Sequence, residues 1–164
     1  MKQLEVYKMY DFNQDLNDKC FEKIFAEYFL DNYTVTNGYF PGYDVIDKDV
    51  DLTFEVKRDY WYHKTKNLLI EEYFNVEAGE KGWIYYTNAD FLVVFVDSFT
   101  FYIIPMADVK FKWFYRNKLK IEWVKKDIEQ KDEFTTRNWV TLLDKHFSPL
   151  FFNIDKEMDG SVIC

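Results

Sequence analysis

Six consecutive apolar residues, Phe91-Leu92-Val93-Val94-Phe95-Val96, constrain the fold of this chain more than any other stretch. Strand side chains alternate between faces. A run that is apolar at every position therefore needs cover on both faces, as a central strand has. The link Asp97-Ser98 joins it to a second run at 99–104, read as its antiparallel partner. Pro105 ends that run and suits the first turn of a helix over 106–116. One layer of cover is legible upstream. Phe21, Ile24, Phe25, Tyr28 and Phe29 recur at i, i+3, i+4, i+7 and i+8, which predicts a helix over 15–31, capped by Asp15 or Asn17.

The segments between these elements read as mostly extended. A short piece at 33–36 ends at Asn37-Gly38, and Pro41-Gly42 marks a turn. Strands at 43–46 and 51–58, joined through Asp47, Lys48 and Asp49, are expected to form an antiparallel hairpin. A polar and aromatic loop over 58–66 precedes a strand at 67–74, a loop at 75–82 and a helix or turn at 83–89. Further on, 119–124 alternates like a strand, 139–147 reads as a helix and 148–164 as an irregular tail. Residues 1–14 read as an arm or short helix. The expected class is α/β (α+β), with a central mixed sheet flanked by helices in one domain spanning 1–164.

Composition sets outer bounds. At 48% hydrophobic and 21% aromatic, with only 5 Gly and 3 Pro, the chain can bury a sizeable core and is not of disordered type. Its net charge of −8 counts against a nucleic-acid partner, although local basic patches and bound cations can overrule a total. Cys20 and Cys164 form no CxxC pair; a disulfide between them, which would tie down the terminus, stays open, and free thiols in a reducing compartment are the expectation. With no apolar leader and no run of 18 apolar residues, a cytoplasmic protein with no membrane partner is expected. Two separated histidines, His63 and His146, argue against a histidine metal site or a Ser-His-Asp arrangement.

The chemistry concentrates around 42–59. On the strand 51–58, Leu52, Phe54 and Val56 share an apolar face, and Thr53, Glu55 and Lys57 share the other. If the hairpin brings Asp44 beside Glu55, two carboxylates and an ammonium converge, a donor set suited to a divalent cation. Glu22 lies at the edge of the helix stripe and is better placed to join them than Glu27. Glu71 is a further candidate. Asp47, Asp49 and Asp51 read as a solvated turn, with replacement of Asp44 by one of them left open. Basic residues follow in two groups. Lys57, Arg58, Lys64, Lys66 and His63 come first, then Lys110, Lys112, Arg116, Lys118, Lys120, Lys125 and Lys126 with Trp113, Phe114, Tyr115 and Trp123 interleaved. Such a mixture suits a surface that tracks a phosphate backbone and stacks on bases, or a solvated face over an aromatic core.

The ordered set of a helix acid, Asp44 and Glu55-Val56-Lys57 resembles the PD-(D/E)XK nuclease superfamily, which includes restriction endonucleases, phage exonucleases and Holliday-junction resolvases. The stretches 64–71 and Thr87-Asn88-Ala89-Asp90 before an apolar strand resemble its small phage-encoded members. The likeness covers about 18–105, leaving 106–164 as a C-terminal extension. Tyr43 stands where the superfamily's name puts a proline. The resemblance implies a restriction-endonuclease-like fold and a Mg2+-dependent DNA endonuclease acting on duplex or branched DNA in a bacterial host cell. Mn2+ is expected to substitute. Asp44, Glu55 and the Val56 carbonyl would hold the ion, with Glu22 joining through a water. Lys57 would orient the attacking water or stabilise developing charge. Arg58, Lys64, Lys66, Lys112 and Arg116 are the expected DNA contacts. A homodimer is expected from relatives that cut two strands. The alternative, motivated by the acidic net charge, is a catalytically inactive nuclease-fold protein that binds and blocks or recruits a nucleic-acid enzyme.

Overall fold

A computed structural model describes residues 18–37, 42–59, 62–129, 136–143 and 149–153. Its elements are helix α1 (Asp18–Phe29), strands β1 (Tyr33–Val35), β2 (Val45–Asp47) and β3 (Leu52–Arg58), a helical turn α2 (Tyr62–Thr65), β4 (Asn67–Asn75), β5 (Glu80–Lys81), the short helix α3 (Trp83–Tyr86), β6 (Phe91–Phe95), β7 (Thr100–Pro105), α4 (Met106–Phe114), β8 (Trp123–Glu129), β9 (Thr136–Leu143) and β10 (Leu150–Asn153). The fold is mixed α+β. Six strands form one mixed sheet in the order β1-β2-β3-β6-β7-β10, and four form a second sheet in the order β5-β4-β9-β8. The β3–β6 pair is parallel, with Glu55 opposite Leu92 and Lys57 opposite Val94.

β6 lies in the middle of the larger sheet, and its side chains divide between two cores. Val93 and Phe95 join Phe21, Ile24, Phe25 and Ala26 of α1, together with Phe54, Val56 and Phe101. Leu92 and Val94 join Leu68 and Ile70 of β4, Trp83 and Ile84 of α3, and Val109 and Trp113 of α4. Helix α1 thus covers one face. The second sheet's β4, with α3 and α4, covers the other. Phe25 sits at the centre of the first core, with ring centroids 4.9 Å from Phe54 and 5.6 Å from Phe101.

Turns follow their local chemistry. The Asp47 carboxylate accepts from Asp49 N at 2.9 Å, and Asp51 takes the left-handed region (φ 59) that aspartate tolerates. Asp49 accepts from Asn32 Nδ2 at 3.0 Å. These acids build the β2–β3 turn. Gly82 is needed for a different reason. A Cβ there would meet the Glu71 carbonyl oxygen at 2.2 Å, on backbone that cannot swing away. Gly82→Ala is expected to cost about 1–3 kcal/mol, as overpacking does, read as a lowered melting temperature. An unchanged melt would contradict this packing.

Four expectations are corrected. Of the helix expected at 139–147, the described part, 139–143, is strand: β9 occupies Thr136–Leu143 and pairs with β4, with Asn67 opposite Leu143, and 144–147 lie outside the described residues. A short apolar run fits either period, and here pairing with β4 wins. Of the strand expected at 119–124 only 123–124 are strand, where β8 starts, while 119–120 lie in the turn after α4 and 121–122 in irregular backbone. Part of the expected tail, Leu150–Asn153, is the edge strand β10 on β7. Cys20 is disulfide-bonded rather than a free thiol. The chain's other cysteine, Cys164, lies outside the described residues, as do the arm at 1–14, both candidate caps and His146. Among the described residues, no helix is long and apolar enough to cross a membrane.

Candidate active site at the β2–β3 splay

The hairpin brings Asp44 to Glu55 and Lys57. Val45 opposes Phe54 in the β2–β3 register, and Asp44 stands one residue before β2. Its backbone N–H donates to the Phe54 carbonyl at 2.8 Å, and its Oδ2 accepts from the Val56 N–H at 2.8 Å. The carboxylate therefore takes over where strand pairing stops. A strand residue's N–H and C=O point to the same neighbour, so the Val56 carbonyl opens toward Asp44 as well.

Glu55 and Lys57 project from β3 on the face away from α1. Lys57 Nζ lies 2.6 Å from Glu55 Oε1 and 4.0 Å from Asp44 Oδ2. It also sits 5.8 Å from the Trp83 ring centroid, which helps hold the ammonium in place. Glu55 is 4% exposed. Burial pushes its carboxyl above the usual range, and Asp44 adds to that while Lys57 opposes it. For Lys57, burial pulls downward, but the Glu55 and Asp44 charges outweigh it and hold the amine above the ordinary lysine value. Lys57 is thus a fixed cation at neutral pH, suited to stabilising negative charge rather than taking a proton.

Glu22 approaches Asp44 from α1. Burial raises its carboxyl to about 7, and the charge of Asp44 adds to the rise while Lys19 opposes it. Lys19, one turn earlier on the helix, lies 2.8 Å from Glu22 Oε2 and donates to the Thr36 carbonyl at 2.6 Å. The raised value sets the sign of a pH effect. The folded state holds the Glu22 proton more tightly than the unfolded chain, so stability falls as pH rises from about 4.5 to about 7. At about 1.4 kcal/mol per unit of displacement, the fall is of the order of 3 kcal/mol. Glu22→Gln should flatten this part of the melting-temperature profile and melt higher at pH 8. An unaltered profile would contradict the assignment.

The 87–90 segment, marked in the sequence only as part of the resemblance and given no role there, completes the site. Thr87 Oγ1 lies 3.1 Å from Glu55 Oε2 and 3.2 Å from the Gly42 carbonyl. Asn88 N donates to the same carbonyl at 2.8 Å. Asp90 Oδ2 accepts from Thr53 N at 2.9 Å and from its hydroxyl at 3.0 Å. The 87–90 segment thus clamps both the turn before Asp44 and the start of β3. Lys19 is foreshadowed by its i, i+3 spacing from Glu22. Thr87 belongs to the stretch that carries the resemblance, but its contact with Glu55 has no local signal.

The remaining candidates are dispersed. Glu71 is buried and accepts from Trp83 N at 3.3 Å, steadying the start of α3. Arg58 turns to the α1 face, with its Nε 2.9 Å from Asp18 Oδ1 and its guanidinium 5.4 Å from the Phe21 ring centroid. Lys112 pairs with Asp108 at 3.1 Å. The Arg116 guanidinium is packed between Trp113 (3.7 Å) and Trp123 (4.7 Å). Lys64 and Lys66 are exposed, and Lys66 Nζ lies 3.5 Å from the Tyr102 hydroxyl. Tyr102 stands two strands from Lys57 in register, roughly 10 Å at normal strand spacing.

As a metal site, the chemistry of the donors fits: carboxylate oxygens of Asp44, Glu55 and Glu22 with the Val56 carbonyl are what a hard cation takes. Among the described residues, however, no three acidic, histidine or cysteine side chains are already arranged to hold an ion. Positive charge among these acids comes from Lys57 beside Glu55 and Asp44 and from Lys19 beside Glu22. No protein-family model matches the chain, and no curated protein or solved structure matches it either.

Proposed function

We propose that the chain is a metal-dependent phosphodiesterase with a restriction-endonuclease-like core. More particularly, it is a Mg2+-dependent DNA endonuclease of phage type, acting on duplex or branched DNA and dimerising where both strands are cut. One observation carries this reading: one cation, Lys57, stands 2.6 Å from Glu55 and 4.0 Å from Asp44, where the β2–β3 pairing ends. Asp44, Glu55, the Val56 carbonyl and Glu22 are the groups that would hold the ion. When bound, Mg2+ supplies phosphate polarisation and an acidified water. Lys57 places fixed positive charge where the phosphate gains negative charge. Thr87 orients Glu55. Placement in a bacterial cytoplasm belongs to the same reading, and the disulfide at Cys20 weighs against that part, since disulfides persist mainly in oxidising compartments.

The test is incubation of the protein with supercoiled plasmid and branched oligonucleotides in Mg2+ or Mn2+. Nicking that disappears on chelation supports the reading, and intact DNA of every form contradicts it. A second reading, an inactive nuclease-fold binding protein, is favoured by one finding. Arg58, Lys112 and Arg116 all have partners within the chain, in a molecule of net charge −8.

A further inference from the structure

Helix α4 is amphipathic in an unusual sense. Met106, Val109 and Trp113 face the core. On its other side Phe111, Phe114 and Tyr115, at i, i+3 and i+4, are also aromatic and are 53%, 46% and 48% exposed. Phe111 and Tyr115 pack with centroids 5.2 Å apart. Phe114 meets Tyr85 of α3 edge-on at 5.5 Å, and the next residue, Tyr86, is 49% exposed. Thr87 follows directly and touches Glu55. Exposed rings therefore stand on α3 and α4, the first of which runs directly into Thr87 and the Glu55–Lys57 site. A contiguous exposed apolar patch of this kind marks an interaction surface.

The cations decide the occupant. Lys81 lies 4.7 Å from the Tyr85 ring centroid and Lys118 lies 5.8 Å from that of Tyr115. Lys110 donates to the Thr87 carbonyl between strip and site. Over 106–120 Lys112 is held by Asp108 and Arg116 by Trp113, so Lys118 and Lys120, both exposed, join Lys81 and Lys110 as the cations beside the rings. Rings interleaved with cations suit stacked bases on a phosphate backbone. Paired bases in a duplex hide their faces, whereas unpaired bases offer them.

We infer that this strip binds unpaired bases, so that the substrate class is DNA carrying a single-stranded segment next to the scissile phosphate. The inference rests on the nuclease reading for the word substrate, but binding alone can test it. Fluorescence anisotropy in chelator, with labelled oligothymidine of twenty residues and a duplex of equal length, separates the two. The full chain should bind the single strand more tightly. Tyr86→Ala and Phe111→Ala should each weaken that binding about 5- to 100-fold with unchanged circular dichroism, and the affinity should fall with salt. Equal or absent single-strand binding overturns the inference. So does unchanged affinity in both variants, or a dimer that dissociates in them while binding persists, which would make the strip a contact between copies. Ring-dependent binding without cleavage in Mg2+ leaves the strip standing and sinks the nuclease. Duplex cleavage without single-strand binding does the reverse.

Discussion

Glu55→Gln and Lys57→Met should each reduce Mg2+-dependent cleavage by about 10²- to 10⁴-fold, the range for losing a group that stabilises charge in the transition state. Glu55→Gln removes the charge of a carboxylate buried against Thr87 and Lys57. Lys57→Met removes a cation that burial disfavours but that Glu55 and Asp44 hold above the ordinary lysine value. The two act on one ion pair, so the double variant should lose little beyond the worse single one. Glu71→Gln is the contrast. Its oxygen caps the Trp83 N–H, and glutamine can still accept that bond, so activity should stay within a few-fold. Single-turnover cleavage of a labelled oligonucleotide reads all four. Full activity in Lys57→Met would remove Lys57 from the chemistry.

Phe25→Ala should destabilise the fold by about 3–5 kcal/mol, the usual cost of emptying a fully buried phenylalanine site. Phe25 has no exposed surface and packs against Phe54 and Phe101, which belong to different strands. Its loss also loosens the seat of α1, and with it the approach of Glu22 to Asp44. Phe29→Ala, one turn along the same stripe, should cost far less because Phe29 is 41% exposed. Urea denaturation of both variants gives the comparison. Equal losses would mean that α1 is not docked through Phe25.

What the sequence made legible was local. The 91–96 run announced a strand covered twice, and its residues do alternate between two cores. The α1 stripe announced its buried face, although its last member, Phe29, is partly in solvent. The hairpin spacing placed Asp44 near Glu55. What escaped depends on partners far along the chain. β9 looked helical because its strand partner, β4, lies some seventy residues earlier, and period alone cannot separate a short apolar run into helix or strand. Thr87 contacts Glu55 across 32 positions. The basic residues were visible as charge, but the sequence did not show that Asp18 holds Arg58 or that two tryptophans enclose Arg116. The second sheet was missed for the same reason as β9.

The account stands on Asp44 and Glu55 sharing one divalent ion. Titration calorimetry with Mn2+ measures this directly on the intact chain. One ion should bind per chain, and Asp44→Asn should abolish that binding while leaving the melting temperature close to the parent's. No heat of binding, or a titration that Asp44→Asn leaves unchanged, would contradict the metal site and favour the inactive binding protein.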